Sequence, residues 1–505
     1  MPLPSLYSIC LQRIYGMLMS GTWKTCSTNP FSNLPSHFVD DLLALTRSHS
    51  KFKNPPTLAD MFLLLTSGKV TRLDLTPFNL QMERNTCAHI LRENCFMSVR
   101  VLTWLLEDNR SMALAQVFIY FCPNLEEFHS QLRPNLRVFR MCEKLRIIKF
   151  CPTPEMLYSD AVLGYGVDYQ ELSFLRNLEV FYLPNSTKAR VAKILQHCPQ
   201  LISLGLVDSL DGLEKFHTDF SEENLGHLKL RRCVWGKNIE NKLLQEREGF
   251  VVPEGFPAFV SLYKSQFLEK ITTAVSLCPF VEELVVCILN RNSFEELKKL
   301  KKLTLLSINL CYCDDDYLPN FMEFLEAIGH QLLHLSVICS RALPVDIIFE
   351  HCSNLETLEI DGELTKSRPV PIYLNVSLKR LRITIGNTKT ILFLLSSCKC
   401  LEEISLSDVS CLDDYLLCQI LALNPLRELK VIGISNSGLS RNGFRMILEK
   451  AVSLERASFS SFGKEVSCMV QTLIRELNLN KVDYVDFNQI KNDGLFRRKL
   501  DVARF

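Results

Sequence analysis

The 505-residue sequence predicts an α/β solenoid in which short strands and helices alternate along the chain and stack side by side. The phrase L-x-x-L-x-L, with aliphatic or aromatic substitutes, recurs, and helix-like stretches such as 413–423 and 442–452 separate its copies. The last two apolar positions of each phrase alternate with polar ones, which is the period of a half-buried strand. One strand and one helix cannot bury their apolar faces alone, so neighbouring repeats must stack.

The spacing of the phrases identifies the class of repeat. Consecutive leading residues lie 22 to 29 positions apart, except for one step of 56. Apart from that step, the period lies in or near the range of roughly 20–29 residues that is typical of leucine-rich repeats. The sequence therefore predicts a leucine-rich-repeat horseshoe with a parallel sheet on its concave face and helices outside. The leading residues are Leu178, Leu201, Leu225, Val281, Leu303, Leu332, Leu355, Leu378, Leu401, Leu426 and Leu454.

The predicted domain organisation follows the strength of this motif along the chain. Phrases that begin at Val70, Ser98, Asn124, Asn135 and Lys144 look like divergent repeats, and the step of 56 contains a charged stretch with prolines. The predicted boundaries are 1–50 for a small helical module, 51–170 for divergent repeats, 171–235 for repeats, 236–270 for an insertion or degenerate repeat, 271–480 for regular repeats and 481–505 for a C-terminal cap or tail.

Composition disfavours several classes of function. The formal net charge is +1, whereas a protein that binds nucleic acid by charge usually has a basic excess. No uninterrupted apolar run approaches the roughly 20 residues that a membrane span needs. The N-terminus has no basic residue ahead of its apolar stretch, so we expect no signal peptide. These features predict a protein of the cytoplasm or nucleus that binds neither nucleic acid nor membrane.

The 20 cysteines are predicted to be reduced, and those that recur at one repeat position are predicted to be core residues. Six of them recur three positions before a leading apolar residue, and metal ligands would instead converge on one point. Cys311 and Cys313, or Cys398 and Cys400, lack a second pair that would complete a zinc set. No phosphate-binding loop, zinc-protease motif, nucleophile elbow or dinucleotide-binding glycine pattern occurs. We therefore expect no metal, cofactor or catalytic residue. The six cysteines are Cys122, Cys142, Cys198, Cys278, Cys352 and Cys398.

The N-terminal module is predicted to contain two amphipathic helices. Ser5 is a suitable N-cap for a helix on which Leu6, Cys10 and Ile14 share one face. A second helix is expected to start at Pro35, with an apolar stripe formed by Leu34, Phe38 and Leu42. From these residues alone, the two helices are predicted to form a cap that covers the end of the solenoid.

The same residues resemble a known partner-binding module. Ser5, Leu6, Cys10 and Ile14 fit the elongin-BC box, S/T/P-L-x-x-x-C/S/A-x-x-x-aliphatic. Leu34, Pro35, Phe38 and Leu42 fit the cullin-2 box, apolar-P-x-x-apolar-x-x-x-apolar. Together they resemble a von Hippel–Lindau box, which joins substrate receptors to cullin-RING ubiquitin ligases.

This resemblance has implications for partners and function. The layout is similar to the Zyg/Zer and PRAME-type receptors, although the repeats continue where Zyg/Zer proteins have an armadillo-type tail. The resemblance implies that Leu6, Cys10 and Ile14 bind elongin B/C and that Leu34, Pro35, Phe38 and Leu42 bind cullin-2, which brings a RING subunit. The chain would then be a non-catalytic substrate receptor for an unknown protein.

Two alternatives remain open. The stretch 33–49 resembles the opening of an F-box, which would bind Skp1 and cullin-1, although the residues after Leu45 lack the Trp- and Leu-rich continuation. The other alternative is a repeat scaffold with no role in ubiquitin transfer. Co-purification of elongin B/C with cullin-2, of Skp1 with cullin-1, or of neither distinguishes the three.

A substrate is expected on the concave face of the sheet. Glu359, Arg380, Arg382 and Glu403 lie on successive strands, with Thr357 beside them, and these five residues are the candidates for substrate contact. They either bind a charged segment or pair among themselves, and we favour the pairing. The remaining residues expected on this face are Tyr182, Ser203, Gly205, Glu283, Ser307, His334, Ser336, Ser405, Glu428 and Lys430.

Overall fold

The architecture is that of a computed structural model of the chain. It divides into two compact units, Met1–Val207 and Asp208–Phe505. None of the helices in the described ranges combines the length and apolar content that a membrane span requires. The structure describes residues 5–23, 25–49, 57–78, 84–92, 95–105, 116–131, 135–150, 173–182, 186–220, 226–236, 256–314, 316–366, 377–460, 465–487 and 490.

The first unit begins with two helices that contact each other and continues into a parallel sheet. Its helices include α1 (Leu6–Met19), α2 (Ser36–His49), α3 (Phe62–Leu65), α4 (Arg84–Arg92) and α5 (Lys188–His197), with 3-10 helices at Cys95–Ser98 and Leu136–Met141. Its strands pair in chain order and are β1 (Arg72–Asp74), β2 (Val101–Trp104), β3 (Glu127–Ser130), β4 (Ile147–Phe150), β5 (Val180–Tyr182) and β6 (Ser203–Asp208).

The second unit repeats the strand–helix pattern more regularly. Its helices include α6 (Leu210–Phe220), α7 (Phe256–Leu277), α8 (Ser293–Leu297), α9 (Leu318–Ile328), α10 (Val345–His351), α11 (Thr388–Ser397), α12 (Asp414–Leu423), α13 (Arg441–Lys450) and α14 (Glu465–Glu476), with a 3-10 helix at Gly329–Gln331. Its main parallel sheet contains β7 (Arg232–Trp235), β8 (Glu283–Cys287), β9 (Leu305–Asn309), β10 (His334–Ile338), β12 (Thr357–Asp361), β14 (Arg380–Ile383), β15 (Glu403–Leu406), β16 (Val431–Ser435), β17 (Arg456–Ser460) and β18 (Asp483–Tyr484). A small second sheet pairs β11 (Leu343–Pro344) with β13 (Leu364–Thr365).

The register of the strands confirms the leucine-rich-repeat solenoid. Leu335, Leu358, Leu381 and Ile404 are paired from strand to strand and form a continuous buried row. The alternate residues, such as Ser336, lie on the opposite side of the sheet, which we call the open face. Each repeat thus contributes its apolar phrase to a core that it shares with its neighbours.

The recurring cysteines are buried as the sequence predicts. All six are at most 2% exposed, and each lies in the turn between a repeat's helix and strand. In four of these turns the leading residue donates its N–H to the cysteine carbonyl, as Leu125 does to Cys122 over 3.1 Å. Gly329 takes the same position in its repeat, where a Cβ atom would lie 2.8 Å from Cys352 Sγ. The absence of a side chain at Gly329 therefore allows its turn to stack closely on that of Cys352.

Asparagines before the leading leucine link consecutive repeats, a feature that the sequence reasoning missed. Asn124 donates its side-chain N–H to the Met97 carbonyl over 2.7 Å. Asn354 donates in the same way to the His330 carbonyl over 2.7 Å. Each bond satisfies a carbonyl in the preceding turn. The recurrent Asn-Leu pair at the head of a phrase is the sequence signal for it.

The phrase that was predicted to start at Leu426 has a different register. Strand β16 places Ile432 and Ile434 in the core, so the leading residue is Leu429. Leu426 instead occupies the turn position of the cysteines, with a φ of 52°, and its carbonyl accepts the Leu429 N–H over 3.2 Å. Two leucines three residues apart allow both alignments by pattern alone, and the buried turn decides between them.

Other predicted repeats also need correction. The phrase from Asn135 does not form a strand, because its apolar residues lie in the 3-10 helix that precedes β4. The strand of the phrase assigned to Leu225 is β7, with Leu230 buried ahead of it; Leu225 itself lies outside the described residues. Within the predicted insertion, residues 256–270 belong to the long helix α7, which packs against α6 and α8. The sheet also extends into the predicted tail through β18.

Candidate functional site

Helix α1 has one buried and one exposed apolar face. Its N-cap is Ser5, as predicted, whose hydroxyl accepts the Ser8 N–H over 3.2 Å. The buried face consists of Leu11, Tyr15 and Leu18. The residues that pack α1 onto the first unit are therefore different from those that match the elongin-BC box.

The predicted elongin-binding residues lie on the exposed side of α1. Leu6 is 77% exposed, Cys10 is exposed and Ile14 is half-buried. Ile9, which the sequence reasoning did not single out, is 48% exposed, and Met17 is 37% exposed; both extend the same surface. We call these five residues the α1 stripe. A contiguous apolar surface on a helix is typical of a protein-interaction site.

Helix α2 holds α1 in place through polar and aromatic contacts. Tyr7 packs edge-on against Phe38, with ring centroids 5.9 Å apart, and donates its hydroxyl to Asp41. That hydrogen bond to the carboxylate raises the pKa of Tyr7. Asp40 accepts the N–H groups of Thr71 and Arg72 over 2.9 and 3.1 Å, so α2 is tied to β1.

The predicted cullin-binding residues are unequally accessible. Pro35 is exposed directly before α2, and Leu34 and Phe38 are half-buried. Leu42 is fully buried, at 0% exposure. The resemblance implied a cullin contact for Leu42, but in this conformation its side chain is a core residue and is not available to a partner.

The five candidate residues for substrate contact are brought together on the open face of the second unit. Register places Thr357 beside Arg380, Glu359 beside Arg382, and Arg380 beside Glu403. An Arg382 guanidinium nitrogen lies 2.6 Å from a Glu359 carboxylate oxygen, and the corresponding distance from Arg380 to Glu403 is 3.6 Å. The preferred prediction of mutual pairing is therefore confirmed.

Small residues flank these ion pairs on the open face. Ser307 and Ser336 lie on one side of Glu359 in the same row, and Ser405 and Gly433 lie on the other side of Arg382. Thr357 and Ser405 are 5% and 4% exposed, and their hydroxyls have no hydrogen-bond partner among the described residues. A buried hydroxyl without a partner lacks the hydrogen bonds that it would make in water.

Glu428 and Lys430 do not lie on the open face as predicted, because β16 begins only at Val431. Lys430 instead pairs with Glu402 over 2.9 Å, at the position that follows the leading residue. In other repeats too, the residue that follows the leading residue pairs with an opposite charge at the same position of a neighbouring repeat. We call this series of ion pairs the charge ladder. Sequence reasoning missed it, although the alternation of acidic and basic residues after the leading residues is visible in the sequence. The other pairs are Arg100–Glu126, Arg146–Glu179, Arg231–Glu282 and Glu356–Lys379.

The buried thiols have the properties of core groups. Burial raises the pKa of Cys142, Cys198, Cys352 and Cys398 to about 12, so these thiols stay protonated at neutral pH. A protonated thiol is a poor nucleophile and a poor metal ligand. Burial raises the pKa of Cys313 to about 12 as well. Within the described ranges, no group of three His, Cys, Asp or Glu residues is placed to hold a metal ion.

Comparison with known proteins gives limited similarity. No family model matches the chain, and no curated protein matches it. The structure of Rad7 in complex with Elc1 from yeast is similar, with 13% identity over 95% of this chain and 91% of that chain and a TM-score of 0.33. A leucine-rich-repeat protein of Leptospira interrogans is similar with 13% identity over 88% and 98% of the chains and a TM-score of 0.28. TM-scores this low establish no relationship, so the fold assignment depends on strand order and register.

Proposed function

We propose that the chain is the substrate receptor of a cullin-2-RING ubiquitin ligase, a non-catalytic subunit that binds elongin B/C through the α1 stripe. The observation that supports this proposal is the exposure of Leu6, Cys10 and Ile14 on a helix that packs through its other face. The match to the elongin-BC box alone does not say whether the side of the helix that carries these residues is buried or exposed.

The exposed residues fit the roles that the resemblance implies. Leu6 projects at the start of α1 and would enter an apolar pocket on elongin C, which would contribute about 1.5–3 kcal/mol of transfer free energy. Cys10 is small enough to permit close approach of a second helix, and Ile14 and Met17 would extend the contact. The Ser5 cap and the α2 contacts fix the helix before binding, which reduces the entropy cost of association.

Cullin-2 would contact the region around the start of α2. Pro35 is exposed there, and Leu34 and Phe38 retain accessible surface. Leu42 would then support the helix from within. The RING subunit and its conjugating enzyme would supply the chemistry in the cytoplasm or nucleus, while the open face of the second unit would hold the substrate protein.

Affinity purification of the full chain tests this proposal. The wild type should capture elongin B/C and cullin-2, and Leu6→Ser should lower elongin capture about tenfold or more, since about 1.4 kcal/mol corresponds to a factor of ten. Leu423→Ser is a matched control, because Leu423 is an exposed leucine, at 57%, on a helix of the second unit. Capture that survives Leu6→Ser would contradict the site.

The same experiment addresses the alternatives. Capture of Skp1 and cullin-1 in place of elongin B/C would favour an F-box receptor. Absence of both adaptors, with the variants and the wild type giving the same partners, would favour a scaffold without a role in ubiquitin transfer. A single purification therefore distinguishes all three functions.

A further inference from the structure

The open face of the second unit changes character at β16. On β14 and β15 it carries Arg380, Arg382 and Glu403, whereas on β16 the register places Val431 and Gly433 there. Val431 is only 7% exposed, and Gly433 is also buried. An apolar stretch on this side of the sheet is buried only if another part of the chain covers it.

The cover comes from the C-terminal part of the described chain. A Cβ atom placed on Gly433 would lie 3.1 Å from Phe487 Cε2 and 3.2 Å from Ile490 Cγ2. Both side chains therefore rest on the glycine backbone. Ile490 is 2% exposed, whereas Phe487 is half-buried. We call Phe487 and Ile490 the C-terminal pair.

The chain is anchored just before this pair. Tyr484 in β18 donates its hydroxyl to the Phe459 carbonyl over 2.7 Å, and Val485 donates its N–H to the Ala457 carbonyl over 3.0 Å. Beyond Val485 the pair reaches back over β16. Loss of its contacts can leave the register of β16, β17 and β18 unchanged, because those strands pair through their own backbones.

A buried hydroxyl lies next to the covered surface. Register places Ser405 on β15 beside Gly433, and Ser405 is 4% exposed. Its hydroxyl has no hydrogen-bond partner among the residues that the structure describes. A surface that served only as a seat for two apolar side chains would not need this group, whereas a peptide main chain that crosses from β16 to β15 could bond to it.

We propose that the open face of β15, β16 and β17 is a docking surface for a short segment with an aromatic and an aliphatic side chain three positions apart, and that the C-terminal pair is its internal occupant. A protein ligand with such a segment would displace the pair and bond to Ser405. The inference rests on the proposed function only in taking the open face as the ligand-binding side, and it does not involve α1.

A peptide added in trans tests the docking surface. The probe is a fluorescent synthetic peptide of residues 485–494, and the receptor is the full chain, either wild type or with Phe487→Ala and Ile490→Ala combined. The peptide should bind the double variant at least tenfold more tightly than the wild type, because the wild type holds its own pair in place. Adding Gly433→Val to the double variant should abolish binding, since the new side chain fills the seat.

Ser307→Val is the matched control, because Ser307 lies in the same open-face row as Gly433 on the distant strand β9 and should leave peptide binding unchanged. The proposal would be overturned if the peptide bound the wild type and the double variant with equal affinity. It would also be overturned if the peptide failed to bind a double variant whose unfolding midpoint equals that of the wild type. A double variant that unfolds would also overturn it, because the pair would then be a structural cap. Elongin capture should be unchanged in all of these open-face variants. The effect of Leu6→Ser on elongin capture therefore tests the proposed function independently of the docking surface.

Discussion

The two ion pairs on the open face should differ measurably in strength. A guanidinium nitrogen of Arg382 lies 2.6 Å from a Glu359 carboxylate oxygen, and the side chains are 23% and 20% exposed, so this ion pair is short and partly shielded from water. A hydrogen bond to a charged group contributes about 1.5–3 kcal/mol when buried, whereas an exposed pair contributes about 0.2–1 kcal/mol. We therefore expect a coupling energy of about 1–2 kcal/mol for this pair.

The neighbouring pair provides an internal comparison. Arg380 and Glu403 are 3.6 Å apart and 32% and 21% exposed, so we expect their coupling to lie below about 1 kcal/mol. Alanine double-mutant cycles for each pair give the couplings, because a cycle removes the other contacts that each side chain makes. The free energy of unfolding of the second unit is measured by urea titration, in which pulsed hydrogen exchange of peptides from β12 to β15 reports the unfolded fraction.

Two outcomes would refute this reasoning. A coupling for Glu359 and Arg382 within error of zero would mean that water screens the pair and that its charges are available to a ligand. A stronger coupling for Arg380 and Glu403 would mean that distance and exposure do not rank the pairs. The charge-reversed double variant, Glu359→Arg with Arg382→Glu, should recover most of the coupling energy.

Two further predictions concern the backbone at two glycines and the reactivity of a buried thiol. Gly205 has a φ of 67°, and a Cβ atom there would overlap the Tyr182 ring, so Gly205→Ala should lower the free energy of unfolding by about 1–3 kcal/mol. Gly16→Ala, in open space on α1, should raise it by about 0.4–1 kcal/mol, and chemical denaturation of both variants checks the contrast. Burial raises the pKa of Cys352 to about 12, so iodoacetamide at pH 8 should modify Cys10 in the native chain and Cys352 only after unfolding, as peptide mass spectrometry would show. Rapid native modification of Cys352 would contradict its place in the stacked core.

Much of the fold could be predicted because the repeat constrains it. Leu335 and Leu358 occupy equivalent phrase positions and are paired in the sheet, since a strand period of two fixes which side chains face the core. The error at Leu426 has the opposite cause. Leu426 and Leu429 offer two alignments with equal apolar content, and the choice depends on a left-handed turn residue that the pattern does not specify.

The candidate sites were predictable to different degrees. A helical motif gives the angular spacing of Leu6, Cys10 and Ile14 but not the side that the rest of the protein covers, and that side is set by Leu11 and Tyr15 packing inward. For Leu42 the same limitation led to an incorrect expectation, because its burial depends on contacts that lie outside the motif.

The contact of the C-terminal pair with β16 shows a different limit of sequence reasoning. Gly433 and Phe487 are separated by many residues and by the whole of α13 and α14, so no local pattern connects them. What the sequence does contain is an anomaly, a valine and a glycine at open-face positions where the neighbouring strands carry charge. An apolar stretch that is buried on the solvent side of a sheet is covered either by another part of the chain or by a partner. On β16 the cover is the chain itself, whereas on α1 four of the five residues of the stripe are exposed, which is why we propose that a partner binds the stripe.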